Sequence, residues 1–162
     1  MHPLFKLLEP ALARAVAEHY GQKLVALALF GSVARGTARS DSDVDLFIVA
    51  DDLPDGRVAR AADFCAVERA MAPWTETARR AGLSPVFSPV FKTRPELAHG
   101  TPLLLDMVED ANILLDQSGC LRQALETTRQ RLAALGAQRI WLGDAWVWDL
   151  KPDYRPGDVF EL

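Results

Sequence analysis

Two aspartates, Asp43 and Asp45, have the residue type and the spacing in this sequence that best suit chemistry. They open the run at 43–50, which is otherwise apolar, so a β-strand there places both side chains on one face. Neighbouring carboxylates repel each other, and both stay ionised only if a cation lies between them. Because carboxylate and phosphate oxygens suit Mg²⁺ or Mn²⁺, the pair predicts a divalent metal site. Ions held there would serve the attacking and leaving oxygens of a displacement, so we predict both aspartates to be catalytic as well as metal-binding.

A Gly-Ser pair, Gly31 and Ser32, ends a second apolar run at 24–30 and supplies the other half of the predicted site. A strand that ends in Gly-Ser before a helical turn presents backbone N–H groups, which bind phosphate oxygens. Gly31 permits a close backbone approach, and the Ser32 hydroxyl donates to a phosphate oxygen. Arg35, one turn further on, reaches the same anion. With Ser42, which flanks the acidic pair, these residues form the predicted nucleotide-binding set.

Strands and helices alternate along the chain, which predicts an α/β or α+β fold around a β-sheet. Proline positions refine this prediction: Pro73 should kink or restart its helix, and Pro85 with Pro89 should place the third strand at an edge or a bulge. The predicted helices cover 4–20, 57–80, 102–110 and 120–135, and the predicted strands cover 24–30, 43–50, 84–92 and 111–115.

The C-terminal segment has a different character, because three of the four tryptophans lie within it. They are Trp141, Trp146 and Trp148. Gly143-Asp144 separates two short apolar runs there, which predicts a two-residue β-hairpin. We therefore expect a main domain over 1–136 and a hairpin with a tail, over 137–162, appended to it. The tryptophans suit either a core that folds onto the sheet or an interface. The sequence leaves open whether this tail also forms a homo-oligomer.

Composition limits the classes of partner. The 162 residues carry a net charge of −4 from 18 basic and 22 acidic side chains, so no strong nucleic-acid binding is expected. Cys65 and Cys120 are isolated and form no disulfide framework, which favours reduced thiols. No stretch reaches the ~18 apolar residues of a membrane span, and the N-terminus has no signal-peptide pattern. We expect a cytoplasmic protein without membrane association.

The segment from Gly31 to Leu46 reads Gly-Ser-Val-Ala-Arg-Gly-Thr-Ala-Arg-Ser-Asp-Ser-Asp-Val-Asp-Leu. It resembles the signature of the DNA polymerase β-like nucleotidyltransferase superfamily, and most of all that of the small "minimal nucleotidyltransferases". The resemblance covers 24–50 closely and 80–116 loosely. The tail at 148–157 is similar to the ends of stand-alone members.

The resemblance implies a mixed β-sheet with helices mainly on one face, and a nucleotidyltransferase domain over 1–136. It implies a nucleoside triphosphate, ATP, bound with Mg²⁺, and transfer of AMP to a hydroxyl with release of pyrophosphate. By the same resemblance, Gly31 and Ser32 hold triphosphate oxygens, and Asp43 and Asp45 bind the metals. Many minimal members are encoded beside a small helical HEPN-type protein. The resemblance therefore implies an antitoxin that adenylylates a HEPN partner.

Active members of this superfamily carry a third carboxylate on a later strand, where it acts as general base toward the attacking hydroxyl. The predicted strand at 84–92 has no Asp or Glu, and Val86 or Ser88 stands about where the acid would be. The third acid is then missing, supplied by the substrate, or replaced by Glu96. Two further acids lie one helical turn apart, which favours a solvated helix face. They are Asp106 and Asp110.

Three functions stay open on the sequence. The leading hypothesis is Mg²⁺-dependent transfer of a nucleoside monophosphate to a protein hydroxyl. The second is a catalytically weak or inactive module that binds a nucleotide or a partner, which the missing carboxylate motivates. The third is a small-molecule nucleotidyltransferase of the aminoglycoside type, although such enzymes usually have a further helical domain for the drug.

Overall fold

The computed structural model describes residues 4–143 and 145–159, and within them a four-stranded mixed sheet forms the centre. Its strands are β1 (Leu24–Phe30), β2 (Val44–Ala50), β3 (Phe87–Lys92) and β4 (Asn112–Asp116). Their order across the sheet is β3-β2-β1-β4. Strands β2 and β4 run antiparallel to β1, and β3 runs parallel to β2. The predicted mixed sheet is confirmed, and β3 lies at an edge, where a proline costs no ladder hydrogen bond.

The helices of the described chain largely follow the predicted pattern. They are α1 (Leu4–Tyr20), α2 (Gly31–Ala34), α3 (Arg57–Ala70), α4 (Ala72–Arg80), α5 (Arg94–Ala98), α6 (Leu103–Met107) and α7 (Cys120–Ala134). The predicted helix at 57–80 restarts at Ala72, because Pro73 fits only the first turn of a new helix. The helix predicted over 102–110 is shorter than expected. Backbone N–H groups of Asp110 and Ala111 both turn back to the Met107 carbonyl and end it.

Apolar side chains of the sheet divide between two layers, as the alternation along a strand requires. Leu46 and Ile48 of β2 pack with α1, α3 and α4, whereas Phe47 and Val49 pack with α5, α6 and α7. All seven residues of β1 are buried, since both of its faces are covered. The larger share of helix lies on the first face, in line with the predicted arrangement, and α7 covers the second.

The C-terminal hairpin forms as predicted, from β5 (Gln138–Leu142) and β6 (Ala145–Asp149), in a separate two-stranded sheet. Its contacts with the main domain include the Trp148 indole, which donates to the Leu105 carbonyl at 3.0 Å, and Arg139, which donates two bonds to the Asp110 carboxylate. The tryptophans therefore neither form part of the sheet core nor all face solvent. The division into domains at 136–137 stays a prediction.

No helix within residues 4–143 and 145–159 is long and apolar enough to cross a membrane.

Candidate functional site

The end of β1 and the start of β2 lie side by side, because Phe30 is paired with Asp45 in the antiparallel ladder. Gly31 therefore lies directly against the Asp45 side chain. A Cβ atom added to Gly31 would collide with Oδ2 of Asp45 and lie 3.1 Å from its Cγ. Gly31 also has a φ of +70°, a conformation that favours glycine. The closest neighbour of Gly31 on this side is therefore the carboxylate of Asp45, one of the two predicted metal ligands.

The two aspartates differ in exposure. Asp43 is exposed and precedes β2 by one residue, whereas Asp45 is half-buried within the strand. Burial raises the pKa of Asp45, the nearby Asp43 carboxylate raises it further, and the Arg35 guanidinium opposes both effects. A divalent cation between the carboxylates would relieve this repulsion, and hard carboxylate oxygens are the ligands that Mg²⁺ prefers. The residues present therefore fit the metal.

In the described part of the chain, no further acidic, histidine or cysteine side chain joins the two aspartates as a candidate ligand. Among residues 4–143 and 145–159, no group of three His, Cys, Asp or Glu side chains is placed to hold a metal. Mg²⁺ is commonly bound by one or two carboxylates, with water and substrate phosphates completing its shell. The pair is thus sufficient for an ion that arrives with a triphosphate.

The phosphate half of the site is one helical turn, α2, which follows β1 directly. The Arg35 N–H closes the turn on the Gly31 carbonyl at 3.1 Å, and the Thr37 N–H bonds the Ser32 carbonyl at 2.9 Å. N–H groups earlier in such a turn have no partner within it and are available to an anion. Four residues are too few for a substantial helix dipole. The predicted attraction for phosphate would therefore rest on these N–H groups, the Ser32 hydroxyl and the Arg35 guanidinium.

A cleft of about 520 Å³ opens beside this turn, a volume typical of small-ligand sites. The predicted residues Ser32, Arg35 and Ser42 all line it, and Asp43 follows Ser42 in the chain. The Ser42 hydroxyl also accepts the Arg39 N–H at 2.8 Å, so it closes the loop ahead of the acidic pair. The full lining comprises Ser32, Arg35, Thr37, Arg39, Asp41, Ser42, Trp141 and Gly143.

The expected third carboxylate is missing from β3. Ser88 of β3 stands beside Asp45 in the parallel register, and β3 contains no acid. The suggestion that Glu96 replaces it is wrong. Glu96 follows β3 at the other end of the sheet, where Arg60 binds it through two bonds of 2.8 and 2.9 Å. With the Thr93 N–H, this arginine lowers the pKa of Glu96 to about 2, and the carboxylate caps α5.

The solvated-face interpretation of the other two acids holds for one of them. Asp106 is exposed at the surface. The part of its carboxyl that is buried raises its pKa, whereas the nearby positive charges of Arg139 and Arg35 lower it. For Asp110 the interpretation is wrong, because its side chain is only 15% exposed and pairs with Arg139 at 2.7 Å. Arg35 lies 3.4 Å from the same carboxylate oxygen. Asp110 thus connects the phosphate turn to the C-terminal hairpin.

Sequence reasoning missed the part that the hairpin plays in this cleft. Trp141 of β5 and Gly143 after it belong to the lining, and the Arg139 guanidinium lies 4.9 Å from the centre of the Trp141 ring. One signal was present in the sequence: Arg139 and Trp141 alternate on a strand that faces Trp146 and Trp148 across a two-residue turn. This alternation predicts one shared face, but not where that face lies.

A family model described as "Nucleotidyltransferase domain" matches residues 10–79, which is under half of the chain. The predicted resemblance to nucleotidyltransferases is confirmed over this range, which includes Gly31, Ser32, Asp43 and Asp45. One curated relative, the "Putative protein adenylyltransferase MJ1305" of Methanocaldococcus jannaschii, is 49% identical over 43 residues. These residues make up 26% of this chain and 29% of that protein, so the match spans only a minor part of the relative's length.

Several solved structures resemble the chain distantly. "Crystal structure of the toxin-antitoxin with AMP-PNP" is 18% identical at a TM-score of 0.45, covering 79% of this chain and 92% of that one. "Crystal structure the toxin-antitoxin MntA-HepT" is 15% identical at a TM-score of 0.43, covering 81% and 92%. Likeness at this level carries no argument about function.

Proposed function

Because a family model of the nucleotidyltransferase domain matches residues 10–79, we propose that this chain transfers AMP from ATP to a hydroxyl of a partner protein. The observation that carries the proposal is the contact between Gly31 and Asp45, which joins the phosphate turn to the metal pair. In the reaction, the hydroxyl oxygen bonds the α-phosphorus as the bond to the pyrophosphate oxygen breaks. The hydroxyl proton leaves to solvent.

Each part of the site has a distinct task in this proposal. Asp43 and Asp45 would hold Mg²⁺, which supplies charge stabilisation for the phosphoryl oxygens when bound. Backbone N–H groups after Gly31, with the Ser32 hydroxyl, would bind triphosphate oxygens. Arg35 adds a guanidinium on the same side of the cleft, and such a cation stabilises charge that develops during phosphoryl transfer.

The acceptor is proposed to be a HEPN-type helical protein, with this chain as its antitoxin. The resemblance of the segment 31–46 to minimal nucleotidyltransferases supports this partner, and the relative named as a protein adenylyltransferase supports AMP and a protein target. A cytoplasmic location follows from the same assignment.

The test uses the purified protein, Mg²⁺, and the purified product of the neighbouring gene as the candidate HEPN-type partner. With ATP labelled at the α-phosphate the partner should become labelled, and with ATP labelled at the γ-phosphate it should not. Asp45→Asn should abolish labelling, while Asp52→Asn, an exposed acid beyond the other end of β2, should leave it unchanged. Absence of α-label on the partner with the wild-type protein would overturn the proposal.

A second candidate is a binding module without turnover, and the serine beside Asp45 favours it. Ser88 stands where β3 would supply a general base, so no acid of that strand takes the hydroxyl proton. In that case the partner would bind tightly to wild type and to Asp45→Asn alike, without pyrophosphate release. The third hypothesis, aminoglycoside modification, gains no support from the described residues, which include no separate helical domain.

A further inference from the structure

The tip of the C-terminal hairpin forms a wall of the cleft that carries the predicted phosphate-binding residues. Trp141 lines this cleft together with Ser32 and Arg35, although more than a hundred residues separate them in sequence. Trp141 is 56% exposed, so part of its indole surface is accessible to a ligand in the cleft.

The exposed indole of Trp141 contacts Arg139 within the hairpin. Arg139, Trp141, Trp146 and Trp148 share one face of the hairpin, since Arg139 pairs with Trp148 and Trp141 with Trp146. On that face the Arg139 guanidinium lies 4.9 Å from the Trp141 ring centre and 4.1 Å from the Trp146 ring centre. These are distances at which a cation is attracted to an aromatic ring.

Hydrogen bonds from Arg139 and Trp148 fix this face against α6 and the segment that follows it. Arg139 donates to Asp110 at 2.7 Å, and Trp148 donates to the Leu105 carbonyl at 3.0 Å. The Asp110 carboxylate also lies 3.4 Å from Arg35, a residue of the predicted phosphate site. A single carboxylate therefore ties the position of the hairpin to that of the phosphate turn.

We propose that Trp141 is the stacking surface for the nucleobase of the nucleoside triphosphate, so that the hairpin completes the nucleotide site. This inference rests on the proposed function, because it takes the triphosphate to lie at Ser32 and Arg35. The base would then occupy the same cleft, whose lining also includes Trp141 and Gly143. An aromatic face stacks on any base, and a Cβ added to Gly143 would meet no atom within 4 Å.

The test is calorimetric binding of two probes in the presence of Mg²⁺: ATP, which has a base, and inorganic tripolyphosphate, which has none. Loss of one base–aromatic stack weakens binding by about 5- to 150-fold. Trp141→Ala should therefore weaken ATP binding by a factor in this range and leave tripolyphosphate binding within about twofold of wild type. Trp141→Phe, which keeps an aromatic face, should retain most of the ATP affinity.

Leu142→Ala is the matched control, because Leu142 is a neighbouring exposed apolar residue of the hairpin that does not line the cleft. Equal ATP affinity in wild type and Trp141→Ala would overturn the inference, as would equal losses for both probes. A wild-type protein that binds neither probe would instead overturn the proposed function, and this inference with it. Thermal melts of each variant check that all compared proteins are folded.

Discussion

Replacement of Gly31 by alanine tests the contact that joins the two halves of the site. The new Cβ would collide with Oδ2 of Asp45, so the carboxylate must move away from its position beside Asp43. Alanine also has to adopt a φ of +70°, which costs about 1–2 kcal/mol. Gly31→Ala should therefore lower the free energy of unfolding by at least this amount and should disable the metal site.

Thermal unfolding with and without Mg·ATP separates these two effects. At a ligand concentration about 100 times Kd, wild type should gain about 2.7 kcal/mol. For a domain of this size that corresponds to a rise in Tm of roughly 5–10 °C. Gly31→Ala should start from a lower Tm and rise by less than about 1 °C, because the displaced carboxylate no longer shares the cation with Asp43.

Gly82→Ala is the matched control for backbone strain. Gly82 has a φ of +83°, and a Cβ there would meet no atom within 4 Å. It should lose comparable stability but keep the full Mg·ATP shift. A full shift in Gly31→Ala, or an equal loss of the shift in Gly82→Ala, would refute the reasoning that Gly31 is needed for the space that Asp45 occupies.

Two further predictions concern charged pairs outside the metal site. The pKa of Glu96 is lowered to about 2 from an ordinary 4.5, so its pairing with Arg60 stabilises the fold fully above pH 4.5 and is lost as the pH falls towards 2. Glu96→Gln should cost about 0.5–1 kcal/mol at pH 7 in urea unfolding, since the pair is partly exposed, and nothing near pH 2; a pH-independent cost would contradict this. Asp110→Asn should cost about 1–2 kcal/mol and speed amide exchange in β5 and β6, because Arg139 then loses the carboxylate that it contacts at 2.7 Å. Unchanged exchange in the hairpin would show that the ion pair does not position it.

Local features of the sequence predicted the strand and the turn that carry Asp45, Gly31 and Ser32, while the roles of these residues stay predictions. The alternation from Asp43 to Ala50 defines two faces of a strand, and the structure places Leu46 and Phe47 in different layers as that alternation requires. The Gly-Ser pair ends its strand where predicted. Both features depend on neighbours in the chain, so periodicity and residue type are sufficient to predict them.

Contacts between distant parts of the chain could not be predicted in this way. Asp110 looked like one of two solvated acids because its partner, Arg139, lies 29 residues further along the chain. Glu96 looked like a spare carboxylate because its bonds to Arg60 span 36 residues. The hairpin was predicted as an element, yet its position beside Ser32 depends on the pair of Arg139 with Asp110. Such a long-range pair leaves no periodic signal in the sequence.

Calorimetric titration of ATP into wild type and Asp43→Asn, each with and without Mg²⁺, tests the central claim most directly. We predict that wild type binds ATP tightly only with Mg²⁺, and that Asp43→Asn reduces the Mg²⁺-dependent affinity by tenfold or more. ATP binding that does not depend on Mg²⁺, or an unchanged Mg²⁺-dependent affinity in Asp43→Asn, would contradict the assignment of Asp43 and Asp45 as the metal pair.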